Sequence, residues 1–239
     1  MSKVYKIFYL GLRQVLRDGM LLFLLPAPFL MGAAFHYLLP LLNSLLEQEF
    51  NFSLSPWYAV SDALLIALAP VMTAMICAFI ILDERDEGVG VYYKITPAGR
   101  YSYLIARIGL PMIWAFVSSV LVTSIFAFTV HTWVSILFSA LIGTMQGVVS
   151  CMLLVAIAGN KVEGLALAKL ANLFLMGFLF AFMSSPFKYI FAVLPSFWLG
   201  ELIKNTGLNQ ALLLPTTIGV VCCLVWIVVL QRLFLRRVY

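Results

Sequence analysis

The densest group of ionisable side chains in the sequence is the run from Asp83 to Glu87, which directly follows an apolar stretch. Gly88 and the aromatic pair Tyr92 and Tyr93 come next in the chain. Carboxylates close to aromatic side chains are suited to binding the surface of another protein. Aromatic side chains fill pockets on the partner, and charge pairs fix its orientation. The alternative is an ordinary solvated turn between two apolar segments. The pattern therefore offers a candidate docking surface for a partner protein.

Residue types that catalyse reactions or hold metals are dispersed along the chain. His36 and His131 have no Cys, Asp or Glu at ligand spacing. The four cysteines lie inside apolar runs and have neither metal-ligand nor disulfide spacing. Gly88 and Gly90 alone are a weak signal for a phosphate-binding loop. We therefore expect no catalytic residue, no metal and no cofactor on this chain.

The composition predicts a membrane protein. Apolar residues make up 64% of the 239 residues, charged residues make up 10%, and the mean hydropathy is +1.06. Soluble domains average roughly 45–50% apolar and about 25% charged residues. Because one span needs about 20 residues, the chain is predicted to be a single all-α transmembrane domain, 1–239. The net charge of +5 comes from basic residues beside apolar runs, so no nucleic-acid partner is expected.

Apolar runs and basic residues together predict the topology. Of the 15 Lys and Arg residues, only Lys188 and Lys204 fall in loops on the second side of the membrane. The positive-inside rule then places both termini in the cytoplasm. The chain is thus predicted to be a multi-pass protein of the cell (plasma) membrane. The apolar runs predict six spans, at 20–42, 61–82, 103–130, 133–158, 165–184 and 210–231.

Residues 1–18 differ from the spans. At 100° per residue, Lys3, Lys6 and Arg13 share one face, while Ile7 and Val15 share the other. A basic amphipathic helix of this kind is suited to the inner headgroup layer, where its charges contact anionic lipid. The alternative is a simple topology anchor. We predict an N-terminal interfacial helix in contact with membrane lipid.

Prolines predict two irregular regions. Pro26, Pro28 and Pro40 predict a bent first span. Residues 185–209 are too apolar for a solvated loop and too broken by Pro186 and Pro195 for a span. An external re-entrant pair of short helices is therefore predicted before the last span. Its aromatic residues are expected at headgroup depth, and its charged residues, Lys188, Glu201 and Lys204, are expected to reach water.

Two spans carry further patterns. Span four contains a GxxxG pair, Gly143 and Gly147, which permits close helix packing, within the chain or against another subunit. Span five is rich in Phe and Met, which suit apolar or amphipathic cargo. Its candidate cargo-path residues are Asn172, Met176 and Phe180, although lipid-facing residues would have the same composition.

The segment ILDERDEGVGVYYKITPAGRYSYLIARI resembles the signature of the ABC-2 type permease family. In that family an acidic and basic cluster is followed by Gly-Thr, a short helix, Thr-Pro and a returning span near a Gly-Lys pair. Here Val89 replaces the usual Thr, Val91 replaces a frequent acidic residue, and Ala106 with Arg107 stands at the Gly-Lys position. The resemblance implies that residues 83–101 form a cytoplasmic loop that couples the permease to an ATPase. The coupling residues that it implies are Glu84, Arg85, Asp86, Glu87, Gly88, Thr96 and Pro97.

The resemblance implies a function and partners. It implies the permease subunit of an ATP-binding cassette exporter, with a second permease subunit (homo- or heterodimer) and a cytoplasmic ABC ATPase chain that holds ATP and Mg²⁺. The implied cargo is an apolar or amphipathic drug, peptide or lipid. An ATP-independent facilitator or channel and a membrane-embedded accessory protein are the alternatives.

Overall fold

The computed structural model describes residues 3–89, 99–206 and 212–238, which form a bundle of helices. Within these residues, six helices are long and apolar enough to cross a membrane. The predicted all-α membrane fold is therefore confirmed. The spans are span one (Gly19–Phe50), span two (Ser55–Asp86), span three (Ser102–Phe126), span four (Trp133–Ile157), span five (Lys161–Ala181) and span six (Leu213–Leu233), whose helix continues to Val238.

The N-terminal helix, Lys3–Arg17, packs beside the start of span three. Ile7 is buried there against Tyr103 and Ala106, and Val15 is buried in the main core. Leu16 is 58% exposed, although the sequence pattern places it on the apolar face. The buried stripe is thus narrower than predicted, and the remaining apolar residues are free to contact lipid.

Span one consists of two helices, Gly19–Leu24 and Ala27–Phe50. The α-helix is interrupted at Leu25 and Pro26, and the predicted bend stays a prediction. The prediction of a loop from residue 43 is wrong, because the helix continues to Phe50. Glu and Gln favour helix in this stretch, and the helix ends only at Asn51, which has a left-handed φ of 49°. A short 3-10 turn, Ser55–Trp57, then leads into the helix Tyr58–Asp86.

Span two is the centre of the bundle and packs mainly against spans three and four. The GxxxG pair of span four faces it. A Cβ added to Gly147 would lie 2.9 Å from the Pro70 carbonyl oxygen, and one added to Gly143 would lie 3.4 Å from the Ile66 carbonyl oxygen. Close backbone approach thus requires small residues at these positions.

Pro70 lies inside span two and has no N–H to donate to the carbonyl of Ile66, one turn earlier. The Ser119 hydroxyl of span three donates to that carbonyl at 3.0 Å. A neighbouring helix therefore satisfies the backbone group that the proline leaves unpaired, as the membrane interior requires.

Span three contains a π-helical segment, Ile105–Gly109, between the helices Gly99–Leu104 and Leu110–Phe126. Leu110 N–H donates to the Ile105 carbonyl, five residues back. Pro111 follows and cannot donate to the carbonyl of Arg107. The wider turn therefore coincides with the position at which an α-helical hydrogen bond is impossible.

Span five is interrupted at Met176, between the helices Lys161–Leu175 and Gly177–Ala181. The chain then forms a short-helix pair, a 3-10 helix Pro186–Val193 and an α-helix Pro195–Thr206. The second helix packs against spans four and six, and its apolar side is buried. The relation of this pair to the membrane stays a prediction.

The expectation that Lys188 and Glu201 reach water is wrong, and the same expectation for Lys204 stays a prediction. Lys188 and Glu201 form an ion pair, and each side chain is only 12% exposed. Lys204 donates to the Ala181 carbonyl at 3.2 Å. Because the second helix of the pair lies within the bundle, these side chains bond to one another and to the backbone.

Candidate functional site

Polar side chains and backbone carbonyls from five segments meet at one end of the bundle, which we call the polar end. It contains the N-terminal helix, the last turn of span two with the following Glu87 and Gly88, and the start of span five. The π-helical start of span three and the last turn of span four complete it. Five of the candidate coupling residues, Glu84 to Gly88, lie at this end.

Glu84 is buried at the polar end and pairs with Arg107; the two residues are 6% and 4% exposed. Arg107 Nε donates to Glu84 Oε2 at 3.2 Å, and Arg107 Nη2 donates to Oε1. The Tyr103 hydroxyl donates to Oε2 at 2.7 Å. The carboxylate therefore joins span two to span three, and the expectation that Glu84 offers its charge to a partner surface is revised.

Arg85 and Asp86 bond to the ends of two other spans. The Arg85 guanidinium donates to the carbonyls of Ala158 at 2.7 Å and Val155 at 2.9 Å, at the end of span four. Helix C-termini leave such carbonyls without intrahelical donors. Asp86 Oδ2 accepts from the backbone N–H of Lys161, at the start of span five, at 3.0 Å.

Lys161 joins three segments. Its Nζ contacts Asp83 Oδ2 at 2.7 Å and Asp18 Oδ2 at 3.0 Å. Gln14, on the N-terminal helix, donates to Asp83 at 3.4 Å. The hydrogen bond from Lys161 lowers the pKa of Asp18 below its ordinary value. Asp18 also caps the first helix of span one by accepting from the backbone N–H of Met20 at 2.9 Å.

The remaining coupling candidates divide into two groups. Glu87 and Gly88 are exposed, and Gly88 has a φ of 69°, which a side chain disfavours. Thr96 and Pro97 lie outside the described residues. A partner protein can thus reach Glu87 and Gly88 without breaking the network, and the coupling role of the loop stays a prediction.

A cavity of about 360 Å³, which we call the N-terminal cavity, lies between the N-terminal helix, span two and span three. Its walls include Leu12, Val15, Thr73, Ile76, Arg107 and Trp114. The sequence analysis missed this site. The only signals were Gly11 on an otherwise bulky helix face and Arg107 at a position where the permease signature differs.

The candidate cargo-path residues lie along one side of span five. Asn172 is partly buried and Met176 is 36% exposed. Phe180 stacks on Phe191 of the short-helix pair, with ring centroids 3.5 Å apart and planes 4° apart. In the single chain, this side of the helix is thus only partly covered. The GxxxG glycines, by contrast, contact span two inside the chain.

At the opposite end of the bundle, Asp62 is fully buried and acts as a structural acceptor. It accepts from the backbone N–H groups of Phe128 at 2.9 Å and Thr129 at 2.6 Å, and from the Thr129 hydroxyl at 2.6 Å. His36 stacks on Phe128 with ring centroids 5.4 Å apart. These contacts fix the turn between spans three and four. Among the described residues, no three His, Cys, Asp or Glu side chains come together to hold a metal.

The six apolar helices and the amphipathic N-terminal helix define a multi-pass membrane protein. The profile of the family described as "Fluoroquinolones export permease protein Rv2686c-like" matches residues 11–231. The chain therefore belongs to this family of ABC-2 type permeases, which confirms the resemblance seen in the sequence.

Two curated relatives have informative names. They are the fluoroquinolones export permease proteins Rv2686c and MT2760 from two strains of Mycobacterium tuberculosis, H37Rv and CDC 1551. Each is 27% identical to this chain over 191 residues, which cover 78% of this chain and 76% of the relative. No solved structure matches the chain. The family indicates a transport subunit of the membrane.

Proposed function

We propose that this chain is the permease subunit of an ATP-driven exporter, and that a separate ABC ATPase docks on its 83–101 loop. The observation that carries the proposal is the network at the base of this loop. Glu84 bonds to span three, Arg85 to span four and Asp86 to span five. Family membership supports the same function.

The network gives a physical route for coupling. Lys161 forms ion pairs with both Asp83 and Asp18, and Asp18 lies between the N-terminal helix and span one. A force applied at Glu87 or Gly88 would therefore displace the ends of several helices together, since charged pairs and short hydrogen bonds connect them. ATP and Mg²⁺ belong to the ATPase chain in this proposal.

The proposed orientation places the polar end and both termini in the cytoplasm, in the cell (plasma) membrane. The support is the distribution of basic residues, most of which flank this end. A second permease subunit, identical or related, would face the partly covered side of span five at Asn172, Met176 and Phe180. The cargo path would run between the two subunits.

The proposed cargo is an amphipathic drug of the fluoroquinolone type. The support is the printed name of the Mycobacterium tuberculosis relatives, together with the apolar and aromatic character of the helix surfaces. The direction of transport would be out of the cytoplasm.

The test is co-purification of candidate ABC ATPases with the tagged chain, together with cellular accumulation of a fluoroquinolone. Glu87→Lys should abolish co-purification, because losing a buried charge-assisted contact costs about 2–5 kcal/mol of association. Gly88→Leu should abolish it because a side chain disfavours the φ of 69° at this position. Glu49→Lys, which reverses an exposed charge at the opposite end, is the matched control and should retain the ATPase. A fluorescence size-exclusion profile confirms that each variant folds.

The outcomes separate the alternatives. Recruitment of an ATPase and ATP-dependent lowering of drug accumulation, both lost in the loop variants, support the exporter. Drug transport with no ATPase, unchanged in both variants, supports the facilitator and overturns the proposal. Failure of the wild-type chain both to recruit an ATPase and to alter drug accumulation would indicate an accessory protein.

A further inference from the structure

We propose that the N-terminal cavity binds an amphiphilic aromatic molecule whose carboxylate accepts a hydrogen bond from Arg107. The inference rests on the proposed function, because it assigns a site and a chemical class to the cargo. The cavity is separate from the side of span five where the sequence predicted the cargo path.

The size and walls of the cavity suit such a molecule. Its volume of about 360 Å³ falls within the range of drug-sized sites, roughly 300–1,000 Å³. Apolar side chains from three different helices form most of its surface, among them Val15, Ile76 and Trp114. An aromatic body placed there would lose its contact with water and gain apolar contacts on several sides.

Arg107 provides the polar group of the cavity. Its Nε and Nη2 atoms bond to Glu84, and Nη1 forms no hydrogen bond within the described part of the chain. Nη1 lies 1.9 Å from the point that a Cβ on Gly11 would occupy. The glycine therefore leaves room for the guanidinium beside the N-terminal helix. A guanidinium N–H with no protein acceptor is complementary to an acceptor on a ligand.

The arrangement favours an amphiphilic ligand over the acyl chain of a membrane lipid. An acyl chain would fill the apolar volume but would leave Nη1 without an acceptor, whereas a carboxylate would form a charge-assisted hydrogen bond with it. Leu12 and Trp114 are 41% and 48% exposed, so the cavity opens toward the outer surface of the bundle. A molecule dissolved in the adjacent leaflet can therefore reach it from the side.

The experiment measures binding of radiolabelled ciprofloxacin to the purified full chain in phospholipid nanodiscs, without an ATPase. Val15→Phe fills the cavity from the N-terminal helix and should weaken binding at least tenfold. Leu16→Phe adds the same bulk at the neighbouring, 58% exposed position and should leave binding unchanged. Thr73→Leu, which fills the cavity from span two, should reproduce the effect of Val15→Phe. The methyl ester of the probe, which lacks the carboxylate, should bind about tenfold more weakly to the wild type.

Each outcome decides the assignment. Weakened binding in both filled variants and normal binding in Leu16→Phe support the site. Wild-type affinity in the two folded, filled variants overturns it, as does equal affinity for acid and ester. Binding that appears in detergent and disappears in nanodiscs shows that lipid occupies the cavity and also overturns it. ATPase co-purification is independent of these binding results. The exporter proposal can therefore stand when the cavity assignment fails, and the cavity assignment can stand when the exporter proposal fails.

Discussion

Glu84 at the end of span two and Arg107 in the π-helical start of span three form a buried ion pair, joined by two hydrogen bonds. The Tyr103 hydroxyl completes the carboxylate's contacts. A partner binding nearby would act on Glu84 through the helices that it connects. The pair is therefore part of the structure that supports the loop.

Removing one member of this pair should strongly destabilise the protein. Glu84→Leu or Arg107→Leu alone leaves an uncompensated buried charge, which costs about 3–5 kcal/mol. The double variant removes both charges and should recover most of the loss. The measurement is the apparent melting temperature in detergent, with Glu87→Leu as the exposed control. Additive losses in the double variant would show that the two side chains are not coupled.

Ser119 and Pro70 should behave as a coupled pair. Ser119→Ala leaves the Ile66 carbonyl without its donor in the membrane interior, at a cost of about 1–3 kcal/mol. In the Pro70→Ala background, the backbone N–H of residue 70 is restored and can donate to the same carbonyl. Ser119→Ala should then cost much less. A double-mutant cycle on thermal stability measures this difference, and an unchanged cost in both backgrounds would contradict the assignment.

The two glycines of the GxxxG pair should differ in their tolerance of alanine. A Cβ at Gly147 would lie 2.9 Å from a backbone oxygen, whereas one at Gly143 would lie 3.4 Å from its nearest neighbour. Overpacking of this kind typically costs about 1–3 kcal/mol. We expect Gly147→Ala to lower the melting temperature more than Gly143→Ala does. The reverse order would mean that span four does not approach span two as described.

Gln146 is fully buried in span four, and neither polar atom of its side chain has a partner among the residues that the structure describes. Leaving buried polar groups unpaired costs about 1–3 kcal/mol. Gln146→Met, which has a similar shape and no amide, should therefore raise the melting temperature. Ile142→Met, at a fully buried apolar site on the same helix, is the control and should not stabilise. A fall in stability for Gln146→Met would show that the amide is satisfied.

The Asp18–Lys161 contact should contribute stability that depends on pH. Because the hydrogen bond from Lys161 lowers the pKa of Asp18 below its ordinary value, the folded state favours the ionised carboxylate. The contribution is fully present above the unfolded pKa, about 3.9, and is lost as the pH falls through the lowered folded value. Asp18→Asn keeps a helix-capping oxygen but removes the charge. The loss of stability relative to wild type, below about 1 kcal/mol for a partly exposed pair, should lower the melting temperature at pH 7. This difference should shrink as the pH falls through the lowered folded pKa of Asp18.

The sequence alone determined the features that depend on local composition. The number of spans follows from the length of the apolar runs, and the interruption of span one at Pro26 follows from the missing N–H of proline. The family follows from the signature that begins at Glu84. The end of span one at Phe50 was missed, because the polar residues after Asn43 are compatible with both loop and helix.

Only the tertiary structure decided which polar residues are paired, because those contacts join parts of the chain that are far apart in sequence. Lys161 lies 143 residues from Asp18 and 78 from Asp83, and no local pattern specifies such a contact. Glu84 looked exposed because it lies at the end of an apolar run, yet the packing of span three buries it against Arg107. The N-terminal cavity likewise forms only where three helices meet. Helix packing therefore decides which charges are available to bind a partner or a ligand.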